Sequence, residues 1–195
     1  MNALCNGQRI QLTKCRRADK ELFNMYSKPD QVDITKFAKK EVKRSVAFRN
    51  SKRREVNAKW MAKMLREYKK KLLTVLPKNP RDKNSQDVSV FKGLPIMACK
   101  TRGALKIING EEFEVVDMID GNVFISNPYH KESIAIPQND FTNIFYPAFC
   151  VSVHKSQGST YDHPYTIYEW DKMDNRLKYV ALSRATKKEH VNIYQ

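Results

Sequence analysis

Residues 151–160 combine a short apolar start with a run of polar side chains that could bind a phosphate. The apolar residues 149–153 predict a buried strand, and the residues after them predict a short helix that begins near His154. A helix that follows a buried strand presents free backbone N–H groups, which form a binding site for a phosphate. Side-chain donors suited to a nucleic-acid backbone lie in the same segment: His154, Lys155, Ser156 and Thr160. An N-capped helix with exposed polar residues is the alternative interpretation.

A second segment, residues 179–186, places one arginine among small and apolar residues. Burying a guanidinium is costly unless an anion meets it, so the pattern predicts that Arg184 binds an anion. A structural salt bridge is the other interpretation of Arg184. In the first segment, Gly158 would allow a ligand or a strand to approach closely.

Taken together and in this order, the two segments resemble the last two motifs of superfamily 1 helicases, and especially those of the RecD/Pif-like DNA helicases. The string V-H-K-S-Q-G-S-T at residues 153–160 and the string Y-V-A-L-S-R-A at residues 179–185 carry the resemblance. The ordered pair is more specific than either string alone.

Two upstream segments extend this resemblance. Residues 12–17 (L-T-K-C-R-R), followed by Asp19 and Phe23, look like the arginine motif that opens the second motor domain in this family. Asn50 and Asn57 resemble an asparagine at the end of a strand followed by an asparagine in the next helix. The resemblance therefore covers nearly the whole chain, although only the two C-terminal motifs are specific.

The resemblance implies that the chain is the C-terminal, second RecA-like motor domain of such a helicase. It implies that residues 153–160 contact single-stranded DNA, that Asn50 is a further contact, and that the DNA contact is coupled to the nucleotide. RNA is the alternative nucleic acid.

The resemblance also implies a nucleotide site. Arg184 would be the arginine finger that stabilises the charge developing on the γ-phosphate of ATP. Its partner would be Arg17, with the adjacent Arg16 as the alternative. Gln157 and Gly158 are expected to lie at the nucleotide together with these arginines.

Hydrophobic periodicity predicts the elements of the first half. It predicts a helix that carries Leu22 and Tyr26, a buried strand at residues 46–48, and a long amphipathic helix over residues 52–76 that ends at Pro77. Spacings of four and three place one apolar stripe on the long helix: Val56, Trp60, Met64, Tyr68, Leu72 and Val75. We interpret this stripe as a core face rather than a surface that stacks on bases.

The period changes after about residue 88, where short β-type runs begin. These runs are predicted at residues 95–99, 112–118, 122–126 and 133–136. Asn109-Gly110 and Asp120-Gly121 between them predict hairpins, and consecutive hairpins suggest a small β-barrel. Strands at 165–168 and 190–194 alternate with a helix at 177–185, which indicates a parallel sheet.

The expected fold class is therefore α/β, with a RecA-like parallel sheet flanked by helices and an inserted small β-barrel. Residues 93–97 and 108–110 are similar to the start of the barrel inserted in the helicase family. Residues 1–92 would form the first part of the RecA-like domain 2A, residues 93–146 the barrel, and residues 147–195 the remainder of domain 2A with the two motifs.

The chain of 195 residues is 41% apolar and 29% charged, which is typical of a globular protein rather than a disordered one. Its net charge is +15, and residues 1–92 carry 25 Lys and Arg against 9 Asp and Glu. Such a basic half predicts a surface that faces a polyanion, unless it is a solvated basic helix face.

The four cysteines lie far apart without a paired spacing, which favours free thiols in a reducing compartment and no metal site. The sequence has no apolar run long enough to cross a bilayer and no secretion signal at its N-terminus. We expect an intracellular, non-secreted chain without a membrane partner.

The sequence has no P-loop, because none of its six glycines is followed by lysine, and no Asp-Glu pair follows a strand to hold Mg²⁺. We therefore expect the C-terminal half of an ATP-dependent DNA helicase that tracks 5′ to 3′. ATP and Mg²⁺ would be bound mainly by a missing N-terminal RecA-like domain of the same polypeptide. The full-length protein is expected to hydrolyse ATP, and this fragment alone is expected to be inactive.

Two alternatives remain open at this stage. One is the C-terminal domain of a viral superfamily 1 RNA helicase, although the Lys155-Ser156-Gln157 string and the position of the barrel favour the DNA helicases. The other is a stand-alone basic module that binds nucleic acid. That module predicts that Arg184 does not point into an open cleft.

Overall fold

The structure, a computed structural model, describes residues 16–127 and 132–194, so residues 12–15 of the upstream arginine motif lie outside it. Its helices are α1 (Lys20–Tyr26), α2 (Asn50–Arg66), α3 (Gln138–Ile144) and α4 (Asn175–Leu182). Its strands are β1 (Ser45–Ala47), β2 (Thr74–Leu76), β3 (Val88–Val90), β4 (Pro95–Ala98), β5 (Glu112–Ile119), β6 (Asn122–Ser126), β7 (Ile134–Pro137), β8 (Phe145–Pro147), β9 (Cys150–Ser152), β10 (Tyr165–Tyr168) and β11 (Val191–Tyr194).

A parallel sheet with the order β11-β10-β1-β9 forms the centre of the fold. Side chains alternate across each strand, so Val46 packs with α1 and α4 on one face, whereas Ala47 packs with α2 on the other. Helices therefore cover both faces, as is usual for a parallel sheet. This arrangement confirms the predicted α/β class with a parallel sheet flanked by helices.

Helix α2 buries the first half of the predicted apolar stripe. Val56, Trp60 and Met64 are buried, and the Trp60 ring stacks on Phe149 with the ring centroids 6.2 Å apart. The core interpretation is therefore correct for these three residues.

The predicted helix over residues 52–76 is wrong at its C-terminal end, because α2 ends at Arg66 and residues 74–76 form β2, which pairs with β3. The chain leaves the helix at Lys69, which has a left-handed φ of 48°, and the Lys70 N–H donates to the Met64 carbonyl at 3.1 Å. Three residues of the predicted stripe follow the end of α2 and are 58%, 45% and 55% exposed: Tyr68, Leu72 and Val75. No core covers these side chains, so periodicity alone extended the helix too far.

A five-stranded antiparallel sheet with the order β7-β6-β5-β4-β8 lies between Pro95 and Pro147. The predicted hairpin at Asp120-Gly121 is confirmed, because both residues have positive φ (48° and 74°) and connect β5 to β6. Helix α3 joins the edge strands β7 and β8 and packs Phe141 against Phe145. Among the described residues, β7 and β8 do not pair with each other, so the predicted β-barrel is an open sheet. Helix α3 connects its two edge strands.

No helix in the described ranges has both the length and the apolar character that crossing a membrane requires.

Candidate nucleic-acid and nucleotide interface

The segment after β9 forms a series of turns, which we call the turn segment (residues 153–160). The predicted helix near His154 is wrong, because residues 153–158 form turns, in which the hydroxyls of Ser152 and Ser156 bond to neighbouring backbone groups. The Ser156 hydroxyl donates to the Val153 carbonyl at 2.7 Å, and the Ser152 hydroxyl accepts the Lys155 N–H at 3.3 Å. Gly158, with a φ of 98°, then turns the chain away from a helical path.

The turn segment still offers backbone donors to a ligand. Within the described residues, the N–H groups of His154, Gly158 and Thr160 have no hydrogen-bond partner. A side chain at Gly158 would meet nothing within 4 Å, so its positive φ, rather than close approach of a neighbour, accounts for the glycine. The phosphate site predicted at a helix N-terminus is therefore replaced by free amides along turns.

The side chains of the turn segment differ in their accessibility. His154, Gln157 and Thr160 are exposed, whereas Lys155 is half-buried and its Nζ donates to Asn109 Oδ1 in the loop between β4 and β5. Ser156 is fully buried, so its hydroxyl holds the turn together instead of facing a nucleic acid.

Arg184 packs directly on the turn segment and is only 5% exposed. Its guanidinium donates to the carbonyls of Ser156 (3.4 Å), Ser159 (3.2 Å) and Val180 (3.0 Å), and to the Ser183 hydroxyl (2.9 Å). These bonds use four of the five N–H donors of an arginine. The chain itself therefore closes over Arg184, which does not point into an open cleft.

Arg17 is exposed and lies beside Arg184. The backbone next to it is fixed, because the Asp19 N–H donates to the Thr186 carbonyl at 3.0 Å and the Asp19 carboxylate accepts the Lys188 N–H at 2.8 Å. Burial lowers the pKa of Arg184, and the positive charge of Arg17 lowers it further. Two cations held close together favour an anion between them. Arg16 is also exposed.

Asn57 is a residue that the sequence linked to the family without indicating its role. It lies on α2, is fully buried, and bonds to both backbone groups of Cys150 at the start of β9: its Nδ2 donates to the carbonyl at 2.9 Å and its Oδ1 accepts the N–H at 2.8 Å. Since β9 is an edge of the parallel sheet, Asn57 acts in place of a further strand and fixes the start of the turn segment.

Arg44 is a residue that sequence reasoning missed. Its guanidinium pairs with both carboxylate oxygens of Glu112 on β5, donates to the Ala148 carbonyl at 3.2 Å, and lies 4.8 Å from the centre of the Tyr161 ring. It therefore joins the parallel sheet, the antiparallel sheet and the end of the turn segment. Glu112 and Tyr161 are 68 and 117 residues away in sequence, so no local pattern could have indicated these contacts.

We predict that Arg44→Met lowers the free energy of unfolding by about 2 kcal/mol, because it leaves Glu112 without its cation. The expected loss of stability is smaller than for a fully buried ion pair, because the Glu112 side chain is 38% exposed and solvent screens its charge. Urea unfolding measures the loss. The matched control is Lys92→Met, which removes a surface pair with Asp117 and should cost less than about 0.5 kcal/mol. Equal losses in the two variants would contradict the role given to Arg44.

Asn50 and Lys155, both predicted contacts to nucleic acid, lie on the wall of one cavity at the end of β9. Asn50 is the first residue of α2, and its Oδ1 accepts a hydrogen bond from Arg53 Nε at 3.1 Å. The structure thus brings these two predicted residues together at a cavity that Arg184 does not line.

Within the described ranges, no group of three or more His, Cys, Asp or Glu could hold a metal ion. Cys150 is fully buried, and burial raises the pKa of its thiol to about 12. The thiol is therefore protonated at neutral pH.

Comparison of the structure with solved structures gives consistent matches. A Pif1 helicase from a complex of two coordinating Pif1 helicases at forked double-stranded DNA superposes with a TM-score of 0.71 at 18% identity, over 95% of this chain and 49% of that one. The fold is shared with the Pif1 helicases. Bacteroides Pif1 in complex with ADP-AlF3 and single-stranded DNA gives a TM-score of 0.68 at 16% identity, over 94% of this chain and 51% of that one.

Candida albicans Pif1 gives a TM-score of 0.65 at 16% identity, over 91% of this chain and 53% of that one. The chain therefore spans about half the length of the Pif1 helicase chains that it matches. No protein-family model matches the chain, and no curated protein matches its sequence. The likeness to the Pif1 helicases is thus one of fold.

Proposed function

We propose that the chain is the second RecA-like motor domain, and the C-terminal half, of an ATP-dependent DNA helicase of the RecD/Pif-like group. The observation that carries this proposal is the direct contact between the turn segment and Arg184, within a fold shared with Pif1 helicases over 95% of the chain. In this proposal, the segment that contacts the nucleic acid and the arginine that binds an anion belong to one hydrogen-bonded unit. Such a unit is what a motor needs to couple binding of a strand to hydrolysis of a nucleotide.

The nucleic acid in this proposal is single-stranded DNA, on which the complete protein moves 5′ to 3′. The exposed side chains of His154 and Thr160, the Lys155 ammonium and the free amides of the turn segment supply neutral and positive donors to phosphates. Asn50 adds an amide at the start of α2. The turn segment follows the carboxyl end of β9, and Asn50 follows that of the neighbouring parallel strand β1.

The nucleotide in this proposal is ATP, and the residues of this chain fit its charge. Arg17 and Arg184 bring two positive charges together near the exposed Gln157 and Gly158. The negative charges of the ATP triphosphate would relieve the repulsion between these two arginines. When bound, ATP would supply the γ-phosphoryl group that is transferred to water, with ADP as the leaving group. Arg184 would have to give up carbonyl partners on the turn segment in order to reach a phosphate, so movement of that segment would control the availability of Arg184.

Mg²⁺ does not fit the described residues, which provide no cluster of ligands for it. In the proposal, Mg²⁺ and most of the triphosphate are bound by an N-terminal RecA-like domain of the same polypeptide. This chain contributes the arginines and the nucleic-acid contacts.

A stand-alone module that binds nucleic acid is the second candidate, because one specific observation favours it. Arg184 is closed over by its own chain, as that candidate predicts. The stand-alone module, however, leaves unexplained why the chain shares the fold of half a Pif1 helicase. Both candidates require binding of nucleic acid, whereas only the helicase requires an effect of Arg184 on hydrolysis.

We predict that the 195-residue chain binds single-stranded DNA weakly and with strong dependence on salt. About three to five phosphate contacts give a slope of about −2 to −4 in a plot of log affinity against log salt concentration for single strands. Fluorescence anisotropy of a labelled oligonucleotide between about 50 and 200 mM salt measures this slope. An affinity that does not change with salt would contradict an electrostatic contact, and with it both candidates.

A further inference from the structure

The cavity that contains Asn50 and Lys155 has a volume of about 170 Å³ and lies where the two sheets meet. The first turn of α2, the carboxyl end of β9 and strands β4 and β8 form its walls. Its polar lining consists of Asn50, Arg53, Asn84, Tyr146, Ser152 and Lys155. Two cations but no Asp or Glu line the cavity among the described residues, which favours an anionic ligand.

Arg53 is the most informative residue of this cavity, because it is only 3% exposed and forms no salt bridge with a carboxylate within residues 16–127 and 132–194. Its Nε donates to Asn50 Oδ1 at 3.1 Å, its Nη2 donates to the Asn84 carbonyl, and its guanidinium lies 4.6 Å from the centre of the Tyr146 ring. Its Nη1 is buried without any hydrogen-bond partner among the described residues. The guanidinium is therefore held in place with donor capacity left over.

A buried charge without an ionic partner is costly, so an arginine at this place requires an explanation. Burial lowers the pKa of Arg53, although an arginine remains protonated in a protein. The charge of Asp82 acts on Arg53, but this carboxylate is already bonded to the Tyr146 hydroxyl. An anion in the cavity would supply the charge that the protein does not.

Lys155 gives the same cavity a second positive group from another element. It is half-buried, its Nζ is bonded to the neutral Asn109 side chain, and no carboxylate in the described part of the chain forms a salt bridge with it. Arg53 belongs to α2 and Lys155 to the turn segment, so one anion could contact both elements. A phosphate group fits a cavity of this size and offers several acceptor oxygens to the surrounding donors.

We propose that this cavity binds one phosphate group of a single-stranded nucleic-acid backbone, with Arg53 and Lys155 as its positive donors. This inference rests on the proposed function, and it adds a buried arginine that the sequence motifs did not indicate. The bound phosphate would hold the start of α2, the turn segment and the antiparallel sheet in one arrangement. Binding of a strand would thereby change the position of the segment on which Arg184 packs.

The test compares Arg53→Gln with Arg54→Gln in the 195-residue chain. Arg54 is the next residue on α2, carries the same charge, and donates to the Lys83 carbonyl outside the cavity. Loss of one phosphate contact should reduce the salt slope for single-stranded DNA by about 0.7 and the affinity by about tenfold in Arg53→Gln. Arg54→Gln should change the slope by much less. Equal changes in the two variants would overturn the proposal.

A second measurement does not depend on DNA. Inorganic phosphate, compared with chloride at the same ionic strength, should raise the melting temperature of the unaltered chain and of Arg54→Gln, but not that of Arg53→Gln or Lys155→Gln. Lys155→Gln keeps the test decisive if Arg53→Gln fails to fold. Stabilisation of all four proteins by phosphate, or of none, would overturn the site.

The two measurements separate the possible failures. Phosphate stabilisation that requires Arg53, without any salt-dependent binding of DNA, would identify a site for free phosphate and reject both the nucleic-acid backbone and the proposed function. Salt-dependent binding of DNA that is insensitive to Arg53 would leave the proposed function intact and reject this cavity as a phosphate site.

Discussion

Replacing Arg184 with alanine, in a complete protein that contains the ATP-binding half, should lower kcat for ATP hydrolysis by about 10³-fold or more. The affinity for ATP should fall much less, because an arginine finger acts mainly on the charge that develops in the transition state. Steady-state ATPase kinetics measure kcat, and equilibrium binding of a nucleotide measures the affinity. A variant that keeps a kcat near that of the unaltered protein would remove Arg184 from this role.

The structure requires a control for this prediction, because Arg184 also ties the turn segment to α4. Ser183→Ala removes one hydrogen bond of the Arg184 guanidinium and leaves the guanidinium itself in place. This variant should lower kcat by less than about tenfold, since it removes only a neutral hydrogen bond. A loss as large as that of Arg184→Ala would mean that the packing of Arg184, rather than its charge at the nucleotide, sets the rate.

Replacing Asn57 with alanine should lower the free energy of unfolding by about 3 kcal/mol, because it leaves a buried N–H and a buried C=O without partners. Both groups belong to Cys150, whose backbone receives 2.8 and 2.9 Å hydrogen bonds from Asn57. Equilibrium unfolding in urea, with a check that the slope is unchanged, measures this loss.

Asn139→Ala is the matched control for Asn57→Ala, because Asn139 is an exposed asparagine on α3. It should change the stability by less than about 0.5 kcal/mol. If Asn57→Ala costs no more than this control, water or a rearranged strand end must satisfy Cys150, and Asn57 would not fix the start of the turn segment.

The sequence predicted those elements whose signals are local. β10 lies at the predicted residues, because a β-type run between Pro164 and Glu169 is sufficient to define a buried strand. The Asp120-Gly121 turn was predictable because few residue pairs adopt two successive positive φ angles. Periodicity failed after Arg66, since a stripe of apolar residues does not reveal whether a core is present to cover it.

The candidate site was less predictable, because its decisive contacts join distant parts of the chain. The motif pair identified Arg184 and the turn segment, but not that they bond to each other. Ser156 looked like a donor for nucleic acid, and only its burial shows that it holds the turn. Arg44 and Arg53 carry no local signal, because an arginine in a basic half of the chain looks like any other until its burial is known.

The central claim is that contact of a strand with the turn segment controls hydrolysis at Arg184. It is tested most directly by basal and DNA-stimulated ATPase rates of Lys155→Gln and Gln157→Ala in the complete protein. Lys69→Asn is the control, since it removes one exposed charge beyond α2 and asparagine tolerates the positive φ of that position.

We predict that the DNA-stimulated rate falls by about tenfold in Lys155→Gln and Gln157→Ala and that the basal rate of both variants falls by much less, while both rates of Lys69→Asn change little. An equal fall of basal and stimulated rates in the two turn-segment variants would contradict the account, because the segment would then serve the nucleotide or the fold without coupling either to the strand.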